Sequence, residues 1–263
     1  MEGNFIGKDV YRQHFHPKDY IKTYYSSSSG NQEFSNLLKF NLKNLHKAFT
    51  LDGIKGDTLL DIGSGPTIYQ FLSACESFRE IIASDYTDQN REEMQRWLKK
   101  EPDHFDWSPV VKYVCELEGD REKWEEKEKK VRRTVRQVLK CDVTQANPLA
   151  PLVMPQVCCV TSQFCLESAC QDLPTYCLAL KNICSLLKPG GHLILMTALK
   201  HNFYMVGQHR FFGLYLEQEM VSSAVREGGF DISWSDLATM QFAPSVTDCK
   251  AIYALVAQKR STI

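Results

Sequence analysis

The sequence lacks the features expected of a membrane-spanning, secreted or nucleic-acid-binding protein. Its longest apolar runs are far too short to cross a bilayer, and its polar, aromatic beginning has no apolar stretch of the kind found in a secretory signal. Its 31 Lys and Arg nearly balance its 32 Asp and Glu, without the basic stripe that nucleic-acid binding usually needs. We therefore expect a cytoplasmic protein with no membrane partner and no nucleic-acid partner.

Cysteine pairs with metal-binding spacing are also lacking. None of the ten cysteines forms a C-x-x-C pair, which argues against a zinc site. Several lie inside apolar runs, as in 157-VCCVTSQFCL-166, where reduced thiols act as small hydrophobic side chains. This usage is typical of the reducing cytosol. We expect no bound metal.

Strands and helices alternate from residue 58 onward, an order that favours a parallel sheet with helices on both faces. A helix over 218–230 and two final runs, 231–242 and 250–259, predict an antiparallel hairpin at one edge. Residues 1–55 predict a helical lead-in, with a helical apolar period over 34–49 and a Ser-rich turn at 26–30. The other predicted elements are strands 58–63, 80–86, 137–143, 155–164 and 192–199, and helices 66–75, 88–100, 116–137 and 174–191.

The stretch 61-DIGSGP-66 predicts a ligand-binding loop after the first strand. In an open parallel sheet, ligands bind beyond the carboxyl ends of the strands, and glycines there let the backbone approach a ligand. The dinucleotide fingerprint requires a third glycine, but Ile68 stands at that position. No G-K-[ST] follows, which excludes a phosphate-binding P-loop. The loop therefore indicates a nucleotide without a diphosphate.

Two aspartates at the ends of later strands narrow this ligand to an adenosine. Asp85 closes the second strand twenty residues after Gly65, where an acid commonly accepts hydrogen bonds from ribose hydroxyls. Asp142 closes the third strand, where it could meet the adenine amino group. Both acids could instead cap helices. Together with the turn 186-LLKPGG-191 they favour S-adenosylmethionine, a cofactor with an adenosine and no diphosphate.

Longer stretches carry a resemblance to a known family. They are 17-PKDYIKTYY-25, 39-KFNLKNLHK-47, 61-DIGSGPTIYQ-70, 84-SDYTDQN-90, 97-WLKKEP-102, 105-FDWSP-109, 138-VLKCDV-143 and 186-LLKPGGHL-193. On these stretches the chain resembles the small-molecule N-methyltransferases for nicotinamide, indolethylamine and phenylethanolamine. The segments 39–47, 116-ELEGDREKWEEKE-128 and 147-NPLAP-151 look most like the indolethylamine branch with its thioether S-methyltransferase. The resemblance covers essentially the whole chain.

The resemblance implies a class I S-adenosylmethionine methyltransferase, with S-adenosyl-L-homocysteine as product. Its α/β fold is Rossmann-like, with a seven-stranded, mostly parallel sheet and an antiparallel C-terminal hairpin. One methyltransferase domain would fill residues 1–263, with a helical N-terminal lid over 1–55 and the core over 56–263. We expect a monomer whose partner is a small molecule.

The resemblance also implies the cofactor site. Tyr20 and Tyr25 would hold the methionine end, since aromatic faces attract a sulfonium cation. Asp85 and Asn90 would bind the ribose. These tyrosines, with Tyr24, could also simply anchor a terminal helix. The full implied cofactor set is Tyr20, Tyr25, Gly63, Ser64, Gly65, Thr67, Tyr69, Asp85, Asn90, Asp142, Val143 and Gln163.

A base is needed if the acceptor is an alkyl amine. With a pKa near that of lysine, about 10.4, only about one amine molecule in a thousand is neutral at pH 7. The site must favour or create the neutral form, and a carboxylate could accept the proton directly or through a water. Glu167, just past strand four, is the predicted catalytic base, although it could be an N-cap or a surface acid. Asp248 resembles a substrate-amine contact of the phenylethanolamine branch.

The pocket sequence departs from the nicotinamide branch. That branch has an aspartate where Thr197 stands in 196-MTALKHN-202, and serines where His201 and Gly213 stand. We therefore expect N-methylation of small amines such as tryptamine, with thioethers as further acceptors and nicotinamide as the alternative substrate. The predicted acceptor-binding set is Tyr24, Phe164, Thr197, Tyr204, Phe212 and Asp248, of which Tyr204 and Phe212 could also be core residues.

Overall fold

The structure is a computed structural model that describes residues 8–25 and 35–261. The predicted turn at 26–30 and the first seven residues of the predicted lid lie outside the described residues. The helices of the described chain are α1 (Lys8–His14), α2 (Pro17–Tyr24), α3 (Asn36–His46), α4 (Ala74–Ser77), α5 (Asp88–Lys99), α6 (Ser108–Leu117), α7 (Trp124–Thr134), α8 (Leu166–Ala169), α9 (Leu173–Leu186) and α10 (Gln218–Glu227). The strands are β1 (Gly56–Ile62), β2 (Phe78–Asp85), β3 (Val135–Lys140), β4 (Val157–Gln163), β5 (Leu187–Leu199), β6 (Phe203–Val206), β7 (His209–Phe212), β8 (Phe230–Thr239) and β9 (Ala251–Lys259).

Seven of these strands form one sheet in the order β3-β2-β1-β4-β5-β9-β8. Strands β1 to β5 pair in parallel, whereas β9 runs antiparallel to both β5 and β8. The predicted mostly parallel sheet with a closing antiparallel hairpin is therefore confirmed. Strand order reverses between β1 and β4, which opens a crevice beyond their carboxyl ends.

Burial of both sheet faces explains the apolar strand sequences. Residues 59–62 of β1 and 193–199 of β5 are buried without the alternation of a one-sided sheet. One apolar core lies between the sheet and α3, α6 and α7, and a second lies between the sheet and α9 and α10. None of the helices in the described part of the chain is long and apolar enough to span a bilayer.

The predicted helix over 66–75 is wrong, because side chains compete for the backbone there. The segment forms only a 3₁₀ turn, Tyr69–Phe71, before the short α4. The Gln70 amide donates to the carbonyls of Ser64 and Thr67, and the Thr67 hydroxyl also donates to the Ser64 carbonyl. Such local bonds offer the chain an alternative to the helical ladder.

Two other expectations change in detail. The charged stretch 116–137 is not one helix, since α6 ends at Leu117 and Gly119 follows with φ +97°, a conformation that favours glycine at a helix end. A 3₁₀ turn and α7 come next. The β6–β7 hairpin was not predicted from the sequence, and its turn contains Gly207 at φ +58°.

Candidate active site

A cavity that is open to solvent on one side lies beyond the carboxyl ends of the parallel strands. Its floor consists of residues at or just after the carboxyl ends of β1 to β5, and α1 and α2 cover it. The predicted site residues that line it are Tyr20, Tyr24, Tyr25, Gly63, Ser64, Gly65, Thr67, Tyr69, Asp85, Asp142, Val143, Gln163, Phe164, Glu167 and Tyr204. Four others, Asn90, Thr197, Phe212 and Asp248, are not in its lining.

The two glycines of the loop after β1 serve different purposes. Both have positive φ, +72° at Gly63 and +59° at Gly65. A Cβ at Gly65 would meet no protein atom within 4 Å, so this glycine leaves room on the ligand side. A Cβ at Gly63 would lie 2.2 Å from Sγ and 2.4 Å from Cβ of Cys165. The expectation that both glycines make way for a ligand is therefore corrected, since Gly63 makes way for Cys165.

Asp85 is held by hydrogen bonds on both carboxylate oxygens. Oδ2 accepts from the Gly65 amide at 2.8 Å, and Oδ1 accepts from the Thr87 amide at 2.9 Å and the Asn90 amide group at 3.0 Å. Burial raises the pKa of Asp85, and these bonds oppose that shift only in part. Asn90 is fully buried, so it orients Asp85 from behind rather than facing the cavity.

Asp142, which is predicted to lie beside the adenine, forms an ion pair with helix α1 above the cavity. Its Oδ2 lies 2.5 Å from Nζ of Lys8 on α1, and its Oδ1 accepts from the Thr144 amide and hydroxyl at 3.1 and 2.7 Å. Burial disfavours the charged form, but the bonds from Lys8 and Thr144 outweigh it and lower the pKa of Asp142. Lys8 is a lining residue that sequence reasoning missed.

Tyrosines form the wall under α2. The hydroxyls of Tyr20 and Tyr25 are 3.4 Å apart, and the rings of Tyr25 and Tyr69 are 5.2 Å apart between centroids. Tyr24 donates to the Met205 carbonyl at 3.0 Å, which ties α2 to the β6–β7 hairpin. The sequence prediction missed Tyr11, an aromatic lining residue one turn beyond Lys8.

The Gln163 side chain carries hydrogen-bonding groups that a polar ligand could pair with. Both its amide nitrogen and its amide oxygen are shielded from solvent, and neither has a hydrogen-bond partner in the described part of the chain. Such a group costs about 1–3 kcal/mol for each unpaired atom unless something binds it. Since the side chain lines the cavity, a ligand with donors and acceptors fits here.

Asp61 is a carboxylate that sequence reasoning missed. It is 1% exposed at the end of β1 and lines the cavity. Burial raises its pKa to about 6, against hydrogen bonds from Ser64, Thr161 and Gln70. A charged residue inside an otherwise buried strand was the signal that could have identified it.

Glu167 is neither a surface acid nor an N-cap side chain. It is 1% exposed, its Oε1 accepts from the Ala198 amide at 2.8 Å, and its Oε2 has no partner among the described residues. Burial raises its pKa to about 7, against the opposing effect of the Ala198 bond. A lining carboxylate with this proton affinity can accept a proton near neutral pH.

Thr197, Asp248 and Phe212 lie behind the lining. Thr197 is completely buried within β5. The Asp248 carboxylate accepts from the Asn202 amide at 2.8 Å and the Phe203 amide at 3.3 Å, so it braces the turn into β6. Burial opposes its ionisation, but the bonds from Asn202 and Phe203 prevail and lower its pKa. Phe212 pairs with Phe203 in the β6–β7 hairpin.

Known proteins resemble the chain over nearly its whole length. The family model described as the NNMT/PNMT/TEMT family matches residues 3–260. Nicotinamide N-methyltransferase of Homo sapiens is 54% identical over 261 residues, 99% of each chain, and indolethylamine N-methyltransferase of Oryctolagus cuniculus is 50% identical over 260 residues, also 99% of each. Magnesium protoporphyrin IX methyltransferase of Synechocystis with bound SAM shares the fold, with a TM-score of 0.57 at 10% identity over 98% of this chain and 99% of that one.

The matches confirm the predicted family, fold class and cofactor. Identity to the nicotinamide relative slightly exceeds that to the indolethylamine relative, whereas the sequence motifs favoured the latter branch. The Gln163 amide, unpaired within the part of the chain that the structure describes, and the open side of Gly65 fit a nucleoside ligand in the cavity. The chain belongs to the NNMT/PNMT/TEMT family and is an S-adenosylmethionine-dependent N-methyltransferase of small molecules.

Proposed function

We propose that the chain methylates the nitrogen of small amines of the indolethylamine type, with Glu167 as the base that removes the proton. The observation that carries this proposal is the buried Glu167 carboxyl group of a cavity-lining residue, whose Oε2 has no hydrogen-bond partner among the described residues and whose pKa burial raises to about 7. An alkyl amine is almost wholly protonated at pH 7, and methyl transfer needs its lone pair. A pyridine nitrogen or a thioether needs no base.

The charge of the lining also suits cationic ligands. Four carboxylates line the described cavity against a single lysine, Lys8, and that lysine is paired with Asp142. Asp61, Asp85 and Glu167 therefore remain as acids without a basic partner in the lining. Both a sulfonium and an ammonium ion are favoured in such a site.

The cofactor, when bound, supplies an electrophilic methyl group. The proposal assigns its ribose to Asp85, its adenine to Asp142 and Val143, its methionine end to Tyr20 and Tyr25, and further contacts to Gln163 and the loop after β1. Asn90 contributes through Asp85, to which it donates. Helices α1 and α2 form a lid over the cavity that excludes water, a condition that strengthens electrostatic interactions in the site.

Gln163→Leu provides a test of the cofactor site that separates binding from folding. The amide has no hydrogen-bond partner among residues 8–25 and 35–261, so its removal should leave the free energy of unfolding of the cofactor-free enzyme unchanged or higher. Affinity for S-adenosylhomocysteine should fall about tenfold, because a hydrogen bond to a buried group contributes about 1 kcal/mol. Calorimetry and thermal unfolding measure the two quantities. Unchanged affinity would remove Gln163 from the site.

Nicotinamide is the second candidate acceptor, favoured by the 54% identity to the human nicotinamide enzyme. Position 197 argues against it, because Thr197 offers no carboxylate and is not in the cavity lining. Thioethers form a further proposed acceptor class. The free thiols of all ten cysteines support a reducing, cytoplasmic location. The proposed enzyme acts as a monomer.

A methyl-transfer screen of tryptamine, phenylethanolamine, nicotinamide and dimethyl sulfide across pH 6 to 9 tests the proposal. We expect tryptamine turnover that rises through neutral pH, because Glu167 must be ionised to accept a proton. Profiles for nicotinamide and dimethyl sulfide should not follow that ionisation. Robust nicotinamide turnover without amine turnover would replace the proposed function with the second candidate.

A further inference from the structure

Helix α1 covers the cavity and is attached to the rest of the protein near both of its ends. At its first residue, Nζ of Lys8 donates to Oδ2 of Asp142 at 2.5 Å and to Oγ1 of Thr144 at 2.7 Å, just after β3. At its last residue, the His14 ring stacks on the His209 ring of the β6–β7 hairpin, with the two centroids 4.5 Å apart. The helix therefore connects the floor of the cavity after β3 to the hairpin.

The attachment at Lys8 is an ion pair. The side chains of Lys8 and Asp142 are 39% and 20% exposed, so salt and water screen their charges only in part. A nearby bond from the Gln89 side chain to the Arg12 carbonyl, at 2.8 Å, is neutral and exposed. Since charge-assisted hydrogen bonds are about twice as strong as neutral ones, Lys8 contributes more than Gln89 to holding α1 against the floor.

Asp142 does not depend on Lys8 for its orientation. Its Oδ1 accepts from the amide and the hydroxyl of Thr144, and its own backbone amide donates to the Pro148 carbonyl at 2.8 Å. Loss of the Lys8 ammonium should therefore leave the carboxylate in place, with lone pairs for the proposed adenine contact. The bond from Lys8 thus fixes the position of α1 rather than that of Asp142.

We propose that Lys8 is a positioning residue of the cofactor site, whose ion pair with Asp142 holds α1 over the cavity and must open each time the cofactor enters or the demethylated product leaves. Lys8, Tyr11 and Asp142 all line the cavity, so a ligand at this end lies beneath α1. The pair joins two parts of the protein, and its loss should change the rates of entry and exit more than the affinity. The inference rests on the proposed function only in that the cofactor occupies the cavity under α1.

Stopped-flow binding of S-adenosylhomocysteine to the full chain measures both rates. In Lys8→Met, which keeps an apolar stem and loses the charge, association and dissociation should both become about fivefold faster, the factor that corresponds to the upper range for exposed ion pairs. The dissociation constant should change by less than about twofold. Lys8→Arg should keep the slow rates, because a guanidinium also pairs with a carboxylate. Lys18→Met is the matched control, since Lys18 is an exposed lysine of α2 outside the cavity lining and its loss should change neither rate.

An analogue of S-adenosylhomocysteine without the 6-amino group separates this role from an effect through Asp142. We expect Lys8→Met to accelerate the binding and release of both compounds equally. No acceleration, acceleration confined to the parent compound, or faster dissociation with an equal loss of affinity would overturn the proposal, and thermal unfolding of each cofactor-free variant is the control for folding. A wild-type enzyme that binds both compounds equally well would instead contradict the assignment of the adenine to Asp142.

Discussion

Gly63→Ala should destabilise the enzyme by about 2–5 kcal/mol, whereas Gly65→Ala, two residues away, should cost only about 1–2 kcal/mol. Both positions have positive φ, so both alanines carry the strain of a left-handed L-residue. Only the Cβ at position 63 would collide with the protein, at 2.4 Å from Cβ of Cys165. That overlap cannot be relieved by a rotamer change, because both Cβ atoms are fixed to backbone.

For cofactor affinity the order should reverse, with Gly65→Ala causing the larger loss. Gly65→Ala adds a methyl group on the open, cavity side of the loop, so a stable protein with weakened S-adenosylhomocysteine binding is expected. Denaturant unfolding and calorimetry measure the two effects. The double variant Gly63→Ala with Cys165→Gly should recover most of the overpacking cost. Equal destabilisation by the two single variants would show that Cys165 does not determine the need for glycine at position 63.

The contrast between the glycines shows how far the sequence predicts the site. A buried strand followed by glycines, with Asp85 and Asp142 at the ends of later strands, places these groups at one sheet edge because parallel strands end together. The partner of Gly63, by contrast, is about a hundred residues away in the chain. No local pattern predicts a contact between a loop after β1 and a turn after β4.

Side-chain direction is a second reason why parts of the site were not predicted. The sequence pattern predicts that Asn90 and Asp248 face the ligand. In the structure, Asn90 instead donates to Asp85, and Asp248 accepts from the backbone amides of 202 and 203. The sequence shows which polar side chain is present, but not which neighbouring group forms its hydrogen bonds. The fit of His201 against Gly213 likewise depends on the unpredicted β6–β7 hairpin, which brings residue 213 back to the end of β5.

Glu167→Gln should lower kcat/KM for tryptamine by about a hundredfold or more, the usual contribution of a general base. Glutamine retains an oxygen for the Ala198 amide, so the loop should stay in place while the proton acceptor is lost. Turnover of nicotinamide or dimethyl sulfide, whose lone pairs are free, should be unaffected and serves as the matched control. Unchanged tryptamine turnover would exclude Glu167 as the base.

The same variant should change how stability depends on pH. The pKa of Glu167 is about 7 in the folded protein against a model value of 4.5, so between these values the unfolded chain loses a proton that the folded chain keeps. The free energy of unfolding should therefore fall as pH rises from about 4.5 to 7, by about 3 kcal/mol at about 1.4 kcal/mol for each tenfold change in proton affinity. Below pH 4.5 both states are protonated, and the penalty is absent.

Stability and activity should thus follow one ionisation in opposite directions. The deprotonation that costs folding free energy creates the base, so tryptamine turnover should rise as the free energy of unfolding falls, with half of Glu167 ionised near pH 7. Glu167→Gln should remove both dependences, as denaturant unfolding and initial rates at matched pH would show. If amine turnover instead titrated near 6 and survived in Glu167→Gln, the base would be Asp61, whose pKa is raised to about 6 in the same cavity.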